Sequence, residues 1–252
     1  MILITGDIHG NFRELFERVR RKEFFKEKNN YIIVTGDFGL WDEEHLNKLK
    51  RISKSIEATI LFVDGNHENF DLLYQFPIVE KFNGKVRKIF ENIYHLIRGE
   101  VYVIDDKSFF CFGGACSHDI KDGIINSDIG IERAIMIQQR MAQEGKVFTR
   151  IKGYSWWEEE MPTEEEMKKG IENLQKYDNC VDYIITHDCP RNFKSIFCSM
   201  SDESPNEITL GQYFDKIYST VAFRKWFCGH YHQTNLIHNL QCIYRLVTEI
   251  RG

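Results

Sequence analysis

The chain is poor in proline, with four in 252 residues, and carries no low-complexity tract, so little disorder is expected outside its loops. No apolar run reaches the ~20 residues that a membrane-spanning helix needs. Met1 runs straight into an apolar stretch with no basic region ahead of it, so neither export nor membrane insertion is expected. The seven cysteines, at 111, 116, 180, 189, 198, 228 and 242, show no CxxC spacing, and their odd number precludes complete pairing within one chain. A reducing, cytoplasmic setting fits that pattern best. Nor is there an excess of positive charge: the formal net charge is −5 and no basic strip is interleaved with aromatics, which weighs against binding duplex nucleic acid.

What the chain does have is 42% apolar and 28% charged residues, an ordinary globular balance, and enough length for one sizeable core. One α/β domain over residues 1–252 is expected, without internal repeats. The first third alternates strand and helix. Ile2 to Thr5 reads as extended, Phe12, Leu15, Phe16 and Val19 fall at helical spacing, and Tyr31 to Thr35 is again extended. Leu46, Leu49, Ile52 and Ile56 mark a second helix before the strand Thr59 to Val63. That order implies right-handed crossovers and a parallel sheet. Four short runs between 86 and 114 read as antiparallel strands of a second sheet.

Later, Thr163 and Glu166 form a capping box ahead of Met167, Ile171 and Leu174, and Leu210, Tyr213, Phe214 and Ile217 mark a further helix. Residues 117–153 mix Gly, Asp and Ser around a helix expected over 131–141, and read as an excursion from the core.

Five runs end an apolar, strand-length stretch with side chains able to bind metal: ILITGDIHG, IIVTGDFG, ILFVDGNHE, IITHD and WFCGHYH. In an open parallel sheet the functional crevice lies beyond the carboxyl ends of the strands, so Asp7, His9, Asp37, Asn66, His67, His187, His230 and His232 should meet there. Each of the pairs Asp7/His9 and His230/His232 is separated by one residue and can face one side. Asp37, between glycines, has two oxygens and is assigned as a bridge between two ions. Asn66 offers a neutral oxygen, whereas the adjacent His67 points elsewhere and is kept off the metals. Oxygen and imidazole together suit Mn²⁺, Fe or Zn²⁺, with Mn²⁺ preferred. His45, His95 and His238 fall on a helix or mid-strand and are left out as surface or packed residues.

The ordered set GDIHG, GDFG, GNHE, THD and GHYH resembles the calcineurin-like metallophosphoesterase superfamily. The resemblance implies a four-layer αββα sandwich, with Asp7, His9, Asp37 and His232 on one divalent ion and Asp37, Asn66, His187 and His230 on the other. His67 would be an outer-sphere histidine. GDFGLWD lacks the arginine of the commoner GDxxDRG pattern, so a phosphate contact from that position is in doubt. GGACSHD and RIKGYSWWEEEMP resemble a bacterial and phage subgroup, which makes Arg150 a candidate substrate contact beside Asn66 and His67.

The function expected is hydrolysis of a phosphomonoester or phosphodiester by a hydroxide bridging two ions, with His67 assisting the leaving group. The substrate would be a phosphorylated small molecule or nucleotide, selected by 117–157 and the 190–208 loop. The alternatives are a non-catalytic metal-binding scaffold, which the full ligand set disfavours, and a nuclease on single strands. Trp156 and Trp157 have two open roles: a flap stacking on the leaving group, or packing against the second sheet. Glu158, Glu159 and Glu160 read as a solvated face, and the buried-type cysteines near the motifs, Cys189 among them, as small core residues.

Overall fold

The computed structural model describes residues 1–20, 22–198 and 203–250. The strands in chain order are β1 Ile2–Thr5, β2 Tyr31–Val34, β3 Thr59–Phe62, β4 Ile78–Lys81, β5 Gly84–Phe90, β6 Ile93–Leu96, β7 Glu100–Ile104, β8 Lys107–Phe112, β9 Gly123–Ile125, β10 Thr149–Ile151, β11 Tyr183–Thr186, β12 Lys225–Cys228, β13 Asn235–Ile237, β14 Leu240–Cys242 and β15 Val247–Ile250. The helices are α1 Phe12–Val19, α2 Glu43–Ser55, α3 Phe70–Leu73, α4 Ile131–Gln143, α5 Glu164–Lys176, α6 Arg191–Phe197 and α7 Pro205–Thr220.

Two mixed sheets carry the fold, in the orders β15-β1-β2-β3-β6-β5-β4 and β13-β14-β12-β11-β8-β7. Each has a parallel centre, β1 to β2 to β3 to β6 in one and β14 to β12 to β11 to β8 in the other, flanked by antiparallel pairs. The central strands read as apolar runs because both faces are covered. Along β1, Ile2 and Ile4 face a cluster that includes Ile33, Leu61, Tyr102, Phe109, Ile185 and Phe227, the seam between the sheets. Leu3 points the other way, into a cluster with Phe12, Leu15 and Leu49 from the helices. On the far side Phe110, Ile184 and Trp226 pack against Leu174, Leu210, Phe214 and Ile217. The result is the αββα layering that the motif order implied.

The amphipathic spacing places the helices as expected. Phe12, Leu15 and Val19 are the buried face of α1, and Leu210, Tyr213, Phe214 and Ile217 lie on that of α7. The capping box of α5 forms through Thr163 and Glu166. One expectation needs correcting: of the four runs between 86 and 114, only β7 and β8 belong to the second sheet. β5 and β6 extend the first, because β6 pairs parallel to β3 and β5 folds back antiparallel beside it. Strand spacing alone cannot distinguish a hairpin that extends one sheet from one that starts another. Residues 123–151 hold a separate parallel pair, β9 with β10, beside α4.

A buried ion pair pins the sheets together. Asp64, just past β3, accepts from Arg98 Nε at 2.9 Å and Nη2 at 2.6 Å and lies 2.8 Å from His95 Nε2. Burial pushes the Asp64 carboxyl up, but Arg98 and His95 outweigh that and hold it below its ordinary value. Arg98 also donates to the Glu159 carbonyl at 2.7 Å, so one guanidinium joins β3, the β6–β7 turn and the segment before α5. Truncating it strands a buried carboxylate. Arg98→Met is expected to lose ~3–5 kcal/mol in urea unfolding, whereas Arg13→Met, on an exposed helical pair, should change stability by ~0.5 kcal/mol or less.

Candidate metal centre

The residues singled out in the five motifs lie one to four positions beyond the carboxyl ends of β1, β2, β3, β11 and β12, or just after. Asp7, His9, Asp37 and His232 each offer an atom within 4.8 Å of the others. His9 Nε2 and His232 Nε2 are 3.0 Å apart, and His232 Nε2 is 3.2 Å from the buried Asp7 Oδ2. Two nitrogens held by one cation at ~2.0–2.1 Å in tetrahedral geometry sit about 3.3 Å apart, so this spacing fits an ion between them. His187 Nε2 lies 3.4 Å from Asp37 Oδ1 and 3.2 Å from Asn66 Oδ1. The His230 ring packs edge-on at 5.1 Å from that of His187.

The backbone makes these placements. His9, Asp37, His230 and His232 all have positive φ, between 47° and 68°, a region that non-glycine residues seldom occupy and that clusters at functional sites. Close approach demands glycine beside them. A Cβ on Gly65 would lie 2.0 Å from Asp37 Oδ1, and one on Gly36 would lie 2.1 Å from His187 Nδ1.

Hydrogen bonds then orient the side chains. His187 Nδ1 faces the Thr35 carbonyl at 2.7 Å, so donation there turns Nε2 toward Asp37 and Asn66. Asp37 Oδ1 accepts from the His67 backbone N–H at 2.8 Å, and Asp7 Oδ1 from that of His230 at 3.2 Å. Burial pushes Asp37 up, yet His187 beside it, with His67 and His9, holds it well below the carboxylate range. Burial pushes His187 down, and Asp37 more than reverses this, holding it up at about 10. The cluster therefore attracts positive charge, whereas burial keeps His230 lowered and neutral.

His67 is half-buried, its ring 5.8 Å from that of His9, and it lines an adjoining cavity of about 770 Å³ together with Arg150. Arg150 Nε donates to Asp119 at 2.9 Å, and Nη2 contacts the same carboxylate. Among the histidines left out, His95 is buried against Asp64 and His45 pairs with Asp42 at 2.6 Å. Cys189 is buried with its Sγ near the Pro190 carbonyl, a core residue as expected. Of the 190–208 loop, residues 199–202 lie outside the described residues.

Two readings of the SWWEEE stretch are corrected. Trp157 packs, but in the cluster on the outer face of the first sheet, not against the second, and its Nε1 donates to Asp71 at 2.8 Å. Glu160 is not part of a solvated face: it is 1% exposed. Its carboxylate accepts from the Ser117 N–H at 2.9 Å and hydroxyl at 2.6 Å, while Asn66 Nδ2 donates to that hydroxyl at 3.1 Å. The chain Asn66 to Ser117 to Glu160 turns the Asn66 amide so that Oδ1 faces the site. Nothing in EEE distinguishes the third glutamate locally, because its partner lies 43 residues away. Glu68 is similar: within GNHE it accepts backbone N–H groups of Phe38, Gly39 and Leu40 at 2.6, 3.2 and 3.3 Å, fixing the loop that carries Asp37.

The calcineurin-like phosphoesterase family model matches residues 1–234. The chain belongs to that family, whose members are metal-dependent hydrolases. It is 30% identical over 92 residues to the uncharacterized protein L509 of Acanthamoeba polyphaga mimivirus, an alignment covering 34% of this chain and 32% of that one. A solved structure of a putative 5′-nucleotidase from Staphylococcus aureus, in complex with alpha-ketoglutarate, aligns at 10% identity with a TM-score of 0.45, over 98% of this chain and 49% of the other. The chain spans about a third of the length of the curated relative and about half of that solved chain.

Burial pushes the Glu160 carboxyl up to about 7 against the two Ser117 hydrogen bonds. A raised carboxyl pKa means that the fold holds its proton more tightly than the unfolded chain does. Stability from this group is full below about pH 4.5 and falls as pH rises through about 7. In urea titrations of metal-free protein, wild type should lose on the order of 2–3 kcal/mol relative to Glu160→Gln between pH 5 and pH 8.

Proposed function

We propose that the chain is a dinuclear phosphoesterase in which Asp7, His9, Asp37 and His232 hold one ion and Asp37, Asn66, His187 and His230 the other. The observation that carries this reading is the gathering of Asp7, His9, Asp37 and His232 within 4.8 Å, with His187 and Asn66 on the opposite side of Asp37. The donors are carboxylate and amide oxygens with imidazole nitrogens, a set suited to Mn²⁺, Fe or Zn²⁺, of which we favour Mn²⁺. When bound, such ions polarise phosphoryl oxygens and acidify water for attack on phosphorus.

The chain's own groups do the rest. Asp37 spans both sides of the centre through its two oxygens, while the His67 N–H and Glu68 keep its loop in place. His67 faces the cavity, where it donates a proton to the departing ester oxygen. Arg150, on the cavity wall and held by Asp119, is a substrate contact. The substrate is a phosphorylated small molecule or nucleotide. Residues 1–252 act as one unit in a cytoplasmic setting, and the resemblance of GGACSHD and RIKGYSWWEEEMP supports membership of the bacterial and phage subgroup.

The test separates metal binding from turnover. With para-nitrophenyl phosphate and its bis ester as substrates, His67→Ala should lower kcat ~10²–10⁴-fold while bound metal by elemental analysis stays near wild type. Asp37→Asn should instead lose metal from both sites together with activity. If His67→Ala loses metal in parallel with activity, His67 is a ligand and the division of roles fails.

A further inference from the structure

The cavity beside His67 has a composition that selects substrates. Its floor is His9 and His67, where the centre opens to solvent, and its walls carry Trp41, Tyr154 and Trp157. Trp157 is almost wholly buried, so the aromatic surface facing the cavity comes from Trp41 and Tyr154, which are 36% and 54% exposed. Trp41 is rigidly held. Its Nε1 donates to the His67 carbonyl at 2.7 Å, its own carbonyl accepts from Asn69 Nδ2 at 2.7 Å, and its ring packs on His45 at 5.1 Å. An ordered indole thus stands directly beside the histidine proposed to protonate the leaving group. Tyr154 sits on the tight turn that closes β10, its N–H bonded to the Ile151 carbonyl at 3.2 Å.

Charge on the same walls is of one sign. Asp42, Glu43 and Asp71 line the cavity, and the cationic side chain among the lining residues is Arg150, already engaged by Asp119. A further phosphate would find no unengaged arginine or lysine among the described lining residues and would face Asp42, Glu43 and Asp71. An N–H bearing ring would find acceptors. Resting on the phosphoesterase reading above, we infer that the substrate carries a single phosphoryl group on a flat, nucleobase-like ring system without further anionic groups. The ring lies against Trp41 and Tyr154, the phosphoryl group lies at the centre, and nucleoside polyphosphates and oligonucleotides are turned away. A volume of about 770 Å³ accommodates such a molecule.

The experiment measures binding and turnover in parallel on Mn²⁺-loaded protein. Intrinsic tryptophan fluorescence gives Kd, and phosphate or alcohol release gives kcat/KM, for adenosine monophosphate, a cyclic mononucleotide, adenosine diphosphate and glycerol phosphate. Adenosine monophosphate or the cyclic mononucleotide is expected to bind at least fivefold more tightly than glycerol phosphate, as one base-to-aromatic stack allows, and adenosine diphosphate no better than glycerol phosphate. Tyr154→Ala should collapse the ratio between the aromatic and aliphatic esters, Tyr154→Phe should restore it, and Glu43→Lys should improve binding of the diphosphate specifically. Equal binding of aromatic and aliphatic esters, or a ratio that survives Tyr154→Ala, overturns the inference. An aromatic preference in binding with no ester turned over supports the pocket assignment and removes the hydrolytic reading. Turnover of every ester without preference does the reverse.

Discussion

The Asp37 carboxylate is the group on which the rest of the centre depends. It is buried, sits at a backbone angle that side chains disfavour, and has His187, His9 and the His67 N–H around its two oxygens. A carboxylate in that position is tolerable only where positive or hydrogen-bonding groups surround it. The glycines at 36 and 65 exist in this arrangement because any Cβ would enter the space of His187 or of Asp37 itself. Each sheet supplies part of the surroundings, so the seam between the sheets must close before the carboxylate can be accommodated. Fold and site are coupled through this one group.

Two buried acid–cation pairs flank the loops that bring Asn66 and His187 to Asp37. On the first sheet Asp64, two residues before Asn66, is held by Arg98. On the second, Asp188, adjacent to His187, lies 3.0 Å from Lys194, which also donates to Glu207 at 3.0 Å. Glu207 in turn faces His118 Nε2 at 3.2 Å, and the His118 ring packs at 5.1 Å from that of His230. Burial pushes Lys194 down, and Asp188 with Glu207 more than offsets it. Neither pair touches the cavity, yet each fixes a residue within two positions of a side chain that faces Asp37. Such pairs add little net stability compared with apolar packing, and their value here is positional.

The sequence conveyed the strand ends and the groups on them because both signals are local. An apolar run of four residues followed by GD, GN or GH is visible without knowing the fold, and the helical spacings of α1 and α7 are equally self-contained. What stayed hidden depends on pairing across long separations. Glu160 looks like its exposed neighbours until Ser117 is brought to it, and β5 with β6 looks like the start of a sheet until β3 is placed alongside. Trp157 was legible as an aromatic that either packs or covers, but the layer it joins is set by Asp71 and the first-sheet cluster. The GGACSHD segment was recognisable as a motif, whereas Ser117's part in turning Asn66 follows only from the three-body chain through Glu160.

The same distinction explains why the chemistry was easier to read than its selectivity. Binding a pair of cations needs a fixed donor set at fixed strand ends, so the constraint is written residue by residue in the motifs. Choosing a substrate needs only a wall of suitable polarity, which can be assembled from α2's first turn, residues 69–75 and the turn after β10, and of these only the last falls in a segment recognisable as a motif. Trp41 enters the wall through a hydrogen bond to the carbonyl of His67, and Arg150 arrives there already neutralised by Asp119. A lone arginine in the sequence suggests phosphate binding. Paired, and set among Asp42, Glu43 and Asp71, it supplies direction and little spare charge, so in the proposed reading attraction for phosphate comes from the centre and discrimination among leaving groups from the rings beside it.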